Sequence, residues 1–446
     1  MNINSTQRDA RDVPVSTCEQ SSLDDYEIAL RQFQSYVGDP TETLSATLEN
    51  DPEFVVGHIF TACAMMLMSE RQYLGEARAC IERAESLANK ANDRERLLVQ
   101  AARHWLEGRW DSACVTWDQV LARYPRDAMA LQCAHLTDFL VGDAVNLRDR
   151  IGRVMHQWDE DVPGYSYILG MQAFGFEECN QFDRAEETGR RALEIESRDG
   201  WSVHAVAHVL EMQNRFEEGA AFLQSRENDW APDNGFAFHN WWHLALFKLE
   251  NEDTDAALAL FDEQIHVDDS DVSMQLLDAT ALLWRLHLLG VDLGGRGAAT
   301  AALWKKKTAV ENGYYAFNDY HAVLACLMGD EVSEAESILA DMRAACDENP
   351  ALTAMMQRDV GVPASRAAIA FAQGNYSETV ELLYPLRPKA HRFGGSNAQR
   401  DILSQTLIQA AIRSGQSDLA QLLISEREMH KPFSPLTSRF AAHLAH

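Results

Sequence analysis

The 446-residue chain lacks any run of about 18 apolar residues, the length a helix needs to cross a bilayer, so no membrane span is expected. Its start, from Met1 to Gln20, is polar and has no apolar stretch of the kind a secretory leader carries. The eight cysteines show no Cys-x-x-Cys and no regular spacing, which argues against a disulfide framework. Several stand among apolar residues, as in Thr61-Ala-Cys63-Ala-Met65 and Val323-Leu-Ala-Cys326-Leu327, and are expected to be small buried hydrophobes in a reducing compartment. Basic residues are few. The 39 Lys+Arg against 68 Asp+Glu give 39 − 68 = −29, a sign that repels phosphates and argues against nucleic acid and anionic membrane as partners. Prolines number only 12 and sit at joints such as Pro125, Pro163, Pro232 and Pro363. Sustained apolar alternation, Asn-Gly hairpins and Gly/Ser-rich linkers are all missing, as are a P-loop, a dinucleotide fingerprint and a GxSxG elbow. The expectation is a cytoplasmic protein in which strands are nearly absent.

What the chain does have is a globular share of hydrophobic residues, 46%, arranged in a recurring phrase. A helix-like segment runs into a short turn on Gly or Asn followed by an aromatic, and a second helix-like segment follows. The phrase reads Glu107-Gly-Arg-Trp-Asp-Ser-Ala113, Cys179-Asn-Gln-Phe-Asp-Arg-Ala185, Gln213-Asn-Arg-Phe-Glu-Glu-Gly219 and Gln373-Gly-Asn-Tyr-Ser-Glu-Thr379. Weaker copies place turns at 38, 72, 142, 251, 290, 329 and 415, and all eleven turns are separated by steps of 34 to 45 residues. A period near 34 is that of the tetratricopeptide (TPR) helix–turn–helix unit. Gly and Asn fit the turn because they tolerate the positive φ that ends a helix. Second helices are amphipathic; Ala185, Gly189, Ala192 and Leu193 form one small-residue stripe with charge elsewhere. The spacing predicts an all-α TPR-like α-α superhelix, or solenoid, of about eleven helical pairs. Residues 1–20 are expected as a mobile tail and 21–446 as one domain, with most of the −29 on outer, solvated helix faces.

Two segments stand apart, Val203-His204-Ala-Val-Ala-His208-Val-Leu-Glu211 and Phe238-His239-Asn240-Trp241-Trp242-His243. Each puts two histidines one turn apart on a first helix, the helix that lines the inner surface in this architecture. Aligning the turns at 214 and 251 displaces one pair by two positions, about 200° of helix rotation, so the four imidazoles are expected to meet between neighbouring helices. Four histidines could ligate zinc or iron, although the HExxH signature is missing. The same alignment puts Asp278 at the place of His239, and His321, in Asn318-Asp319-Tyr320-His321, at the place of His243. Arg392, Ser396, Asn397, Arg400 and Asp401 surround a glycine-led helix start whose free N–H groups suit an anion. Asn240, Asp278, Asn318 and this last group are the candidate substrate contacts. The catalytic candidates are His204, His208, His239, His243, Asp319 and His321, with Asp319 orienting a histidine. Trp230, Phe236, Phe238, Trp241 and Trp242 read as core.

Several phrases together resemble the tetratricopeptide repeat protein 38 family. They are Gly164-Tyr-Ser-Tyr-Ile-Leu-Gly-Met-Gln-Ala-Phe-Gly-Phe-Glu-Glu178, the His204/His208 helix, Glu227-Asn-Asp-Trp230, His239-Asn-Trp-Trp-His243, Phe317-Asn-Asp-Tyr-His321 and Ala390-His-Arg-Phe-Gly-Gly-Ser396 with Ala398-Gln-Arg-Asp401. The resemblance runs from about residue 24 to the C-terminus. It implies the solenoid and a polar pocket, and it supplies no reaction, since the family is named for its repeat. The family pattern usually has His where this chain has Asn397, which hydrogen-bonds but does not titrate at neutral pH. Two functions are therefore expected: a solenoid binding a small polar metabolite or peptide in a His/Asp/Arg-lined groove, or an enzyme of hydrolase or lyase type using the clustered histidines, with a divalent metal as the candidate cofactor. The oligomeric state is not legible.

Overall fold

The computed structural model describes residues 7–17, 19–347 and 351–444. Among these residues the helices fall into eleven consecutive pairs. The first five are Gln20–Ser35 with Pro40–Asn50, Val55–Leu67 with Leu74–Ser86, Asp93–Leu106 with Trp110–Arg123, Ala128–Leu140 with Ala144–Val154, and Tyr165–Glu178 with Phe182–Ile195. Next come Gly200–Met212 with Phe216–Ser225, Ala237–Glu250 with Thr254–Leu260, Ser273–Leu288 with Arg296–Glu311, and Ala316–Met328 with Val332–Ala345. The tenth pair joins Leu352–Met356 through a wider π turn to Val362–Ala372, then Tyr376–Leu383; the eleventh is Asn397–Arg413 with Ser417–His430, and Pro435–Ala442 follows. The fold is an all-α, TPR-like α-solenoid. A ten-residue 3-10 stretch, Tyr384–Phe393, lengthens the step between the last two pairs. No described helix is long and apolar enough to cross a membrane.

The turns explain why the phrase recurs. Gly38, Gly108, Gly142, Asn180, Asn214, Gly290, Gly374 and Gly415 all have positive φ, between 57° and 86°. At three turns the left-handed residue differs from the one expected: Ser69 instead of Gln72, Glu252 instead of Asn251, and Asp330 instead of Gly329. Gly329 is needed for space, because a Cβ there would lie 2.8 Å from the Cβ of Ala301. The stripe Ala185, Gly189, Ala192 and Leu193 is buried, as its periodicity requires. The seven described cysteines are free thiols; Cys18 lies outside the described residues. Burial pushes the Cys326 thiol up to about 12.

The expectation of a mobile tail fails for residues 7–17. Gln7–Arg8 pairs antiparallel with Pro14–Val15, and Val13 and Val15 are buried. Arg11 bonds Asp9 and Glu27 at 2.9 and 2.7 Å, and the Ser16 amide donates to Glu95 at 2.8 Å. Two valines and a satisfied ion pair outweigh the segment's polar composition. Residues 1–6 lie outside the described residues. The chain groups into two compact units, Met1–Val206 with Asn228–Ala237, and Ala207–Glu227 with Phe238–His446. The division falls within the helix Gly200–Met212, whereas the sequence reading of 21–446 as one domain assigned none.

Candidate metal centre

The second unit gathers three of the four expected histidines. His208 and Glu211 stand three residues apart on one face of Gly200–Met212. On Ala237–Glu250, the residues His239, His243 and Glu250 are spaced by four and seven, again on one face. Ser273–Leu288 supplies Asp278. The rings of His208 and His243 lie 4.5 Å apart by centroid, and those of His239 and His243 lie 4.9 Å apart at 89°. Ring nitrogens of His208, His239 and His243 all fall within 4.8 Å of one another. All three residues are buried.

Carboxylates fix two of these rings from behind. His239 Nδ1 is 2.7 Å from Asp278 Oδ2, and His243 Nδ1 is 2.9 Å from Glu211 Oε2. An ionised carboxylate accepts only, so with Glu211 held ionised the His243 Nδ1 carries the proton between them. Burial, with the neighbouring His208, pushes His243 down to about 3. Burial alone would raise Glu211, but the Lys431 ammonium and the His243 hydrogen bond overcome it and hold the carboxyl well below the usual carboxylate range. At neutral pH the pair is therefore a neutral imidazole on an ionised carboxylate. Asp278 is raised, because burial outweighs the opposing pull of His239. The Arg285 guanidinium lies 5.4 Å from the Trp242 ring centroid and donates to the carbonyls of Ala281 and Ala398.

Behind Glu211 lies an ionic network that the sequence reading missed. Lys431 Nζ donates to Glu211 Oε1 at 2.8 Å and lies 3.6 Å from Glu250. Arg427 bridges Glu250 at 2.9 Å and Asp401 at 2.8 Å. Glu211 and Glu250 had a legible signal, since each lies seven residues after a candidate histidine on the same helix face. Lys431 had none: it follows a helix end directly before Pro432, and only the fold makes it buried.

His204, one turn before His208, belongs to the first unit and is ringed there by Phe174, Trp201 and Phe236 at 4.9–5.2 Å. His321 donates from Nδ1 to the Phe317 carbonyl at 2.8 Å and is pushed down to about 3 by burial; it does not share the histidine cluster. Asp319 accepts from the Gly313 amide and from Gln357. Asn318 is half-buried beside it, and Asn240 is buried. Ser396 caps its helix in a box with Gln399, each side chain accepting from the other's backbone amide. Arg400 donates to Asn397 at 2.8 Å, and the exposed Arg392 pairs with Asp359 at 3.0 Å. Asp401 serves Arg427. Trp230, Phe236, Trp241 and Trp242 are buried, as core residues should be; Phe238 is half-buried.

This is an all-helical TPR-like protein with a buried histidine–carboxylate cluster. No protein-family model matches the chain. Similar solved structures include the human IFIT1 dimer with m7Gppp-AAAA, at TM-score 0.42 and 12% identity over 94% of this chain and 98% of that one. Also similar are a monomeric IFIT1 mutant with Gppp-AAAA (TM-score 0.41, 12% identity, 94% and 99% covered) and the IFIT1 dimer with PPP-AAAA (0.41, 13%, 94% and 99%). The likeness transfers no residue role. The exclusion of nucleic acid drawn from the −29 is corrected, since the IFIT1 structures hold m7Gppp-AAAA, Gppp-AAAA and PPP-AAAA. A summed charge averages over the surface and leaves the partner class open.

Proposed function

We propose that this chain is a member of the tetratricopeptide repeat protein 38 family that holds one divalent transition ion at His208, His239 and His243, zinc first and iron as the alternative. The observation that carries this is the pair of carboxylate-backed imidazoles, Asp278–His239 and Glu211–His243, with a third imidazole beside them. Metal-bound histidines characteristically donate their other ring N–H to a carboxylate, which sets the tautomer and raises the basicity of the ligating nitrogen. The fit is close but not closed. Zinc needs nitrogens about 2.0–2.1 Å from the ion, hence about 3.3 Å from each other, and the ring nitrogens lie within 4.8 Å. The family assignment rests on the quoted phrases, which also supply the site's histidines.

When bound, the ion supplies Lewis acidity and lowers the pKa of a water it holds. The chain's own groups orient the rings through Glu211 and Asp278 and exclude bulk water by burial. Rings this buried suit a water or a small polar molecule as a further ligand better than a peptide. A metal-held water also favours a second reading, a hydrolase- or lyase-type enzyme. Zinc titration of the purified full chain tests the first reading: one ion per chain is expected, with affinity falling at least about 100-fold in His243→Ala. Absence of stoichiometric binding to the wild type would overturn it. Ester and phosphoester turnover by the wild type, lost in His239→Ala, is the outcome the enzyme reading requires.

A further inference from the structure

Glu211 divides its two oxygens between the candidate centre and the C-terminal segment. One accepts from His243 at 2.9 Å; the other accepts from Lys431 at 2.8 Å. Lys431 is 4% exposed and follows directly on Ser417–His430. Three carboxylates, Glu211, Glu250 and Asp401, face two cations here, Arg427 and Lys431, so 2 − 3 leaves the network one negative charge. Removing Lys431 from Glu211 would leave an anion that a divalent ion on His243 can balance instead.

The segment beyond Lys431 is held under strain. Phe433 has φ +64°, a conformation that a bulky side chain rarely adopts, and its side chain is 92% exposed. Anchors on either side hold that backbone: Lys431 on Glu211, and Ser434, whose hydroxyl donates to Glu250 at 2.6 Å. Phe433 and Pro435 also wall a cavity of about 340 Å³ with Asn214, Phe216 and Asn251, so displacement of the segment would open it further.

From this we infer that Lys431 is a built-in competitor for the metal ion: it balances Glu211 while no ion is held, and loading of His243 loosens it and releases the segment from 431 to 434. The inference rests on the metal reading proposed above. An ion on His243 would bring positive charge to one side of the carboxylate that holds Lys431 on its other oxygen, and so would repel the ammonium. Strain at Phe433 favours release once that anchor weakens. Linkage is reciprocal, so whatever factor zinc takes from Lys431 binding, deletion of the Lys431 charge returns to zinc affinity.

Hydrogen–deuterium exchange of the full chain with and without saturating zinc chloride tests this, with zinc stoichiometry measured on the same samples. Exchange in peptides covering 431–444 is expected to quicken about tenfold on loading, and Lys431→Met is expected to bind zinc about tenfold more tightly, within the usual range of such couplings. Lys431→Arg, which keeps the charge, should bind like the wild type. One zinc per chain with unchanged exchange over 431–444 would overturn the competitor role and leave the metal centre standing. No zinc bound by the wild type would overturn both. Should Lys431→Met fail to fold, the wild-type exchange experiment decides alone.

Discussion

The histidines of the centre are legible in the sequence from their helical spacing, whereas which group backs which ring is not. Asp278 lies 39 residues from His239 and meets it only through helix packing; Lys431 lies 220 residues from Glu211. The carboxylates should matter nearly as much as the ligands. Asp278→Asn keeps the shape but cannot anchor the proton in the same way, and zinc affinity is expected to fall about 10–100-fold in titration. An unchanged affinity would remove Asp278 from the site. Asp199 gives a separate residue-scale prediction. Burial pushes its carboxyl up to about 7, against hydrogen bonds from Ser202 and the Trp201 amide. A raised carboxyl costs stability once ionised, so the cost is absent below about pH 4, its unfolded range, and grows as pH rises through 7. Asp199→Asn, which still caps the helix, should therefore gain on the wild type by a few kcal/mol between pH 4 and 8 in denaturant titrations. A pH-independent difference would contradict that.

Helices and turns were the most legible level. The turn residue needs positive φ and the second helix needs a small-residue face, and both leave marks in a single sequence. The misplacements at Ser69, Glu252 and Asp330 have one cause: Ser, Glu and Asp also enter the left-handed region when a helix end imposes it, and their identity does not announce it. Close helix approach is the other element-scale feature. A Cβ on Gly175, within Tyr165–Glu178, would meet the Leu147 carbonyl oxygen at 2.7 Å and Arg148 Cα at 2.6 Å, both backbone atoms that cannot swing aside. Ala favours a helix over Gly by roughly 1 kcal/mol, and the clash outweighs it. Gly175→Ala should lower the unfolding free energy by about 1–3 kcal/mol by thermal or chemical denaturation. A stabilised variant would show that the helices can part.

At the scale of the molecule, the −29 that dominates the composition says little about the site, whose cluster is nearly balanced. The division into two compact units left no mark either, because the repeat continues through Gly200–Met212 without a linker. Yet it makes a prediction. All three proposed ligands lie in the second unit, so zinc at 100 times its dissociation constant should add about 2.7 kcal/mol there. Calorimetry should show one transition moving up on loading and another unmoved. The most direct test of the metal centre is X-ray absorption at the zinc edge of the loaded protein. The account predicts at least three imidazole nitrogens at about 2.0–2.1 Å with histidine ring scattering; sulfur ligands near 2.3 Å, or a spectrum unchanged in His239→Ala and His243→Ala, would contradict it.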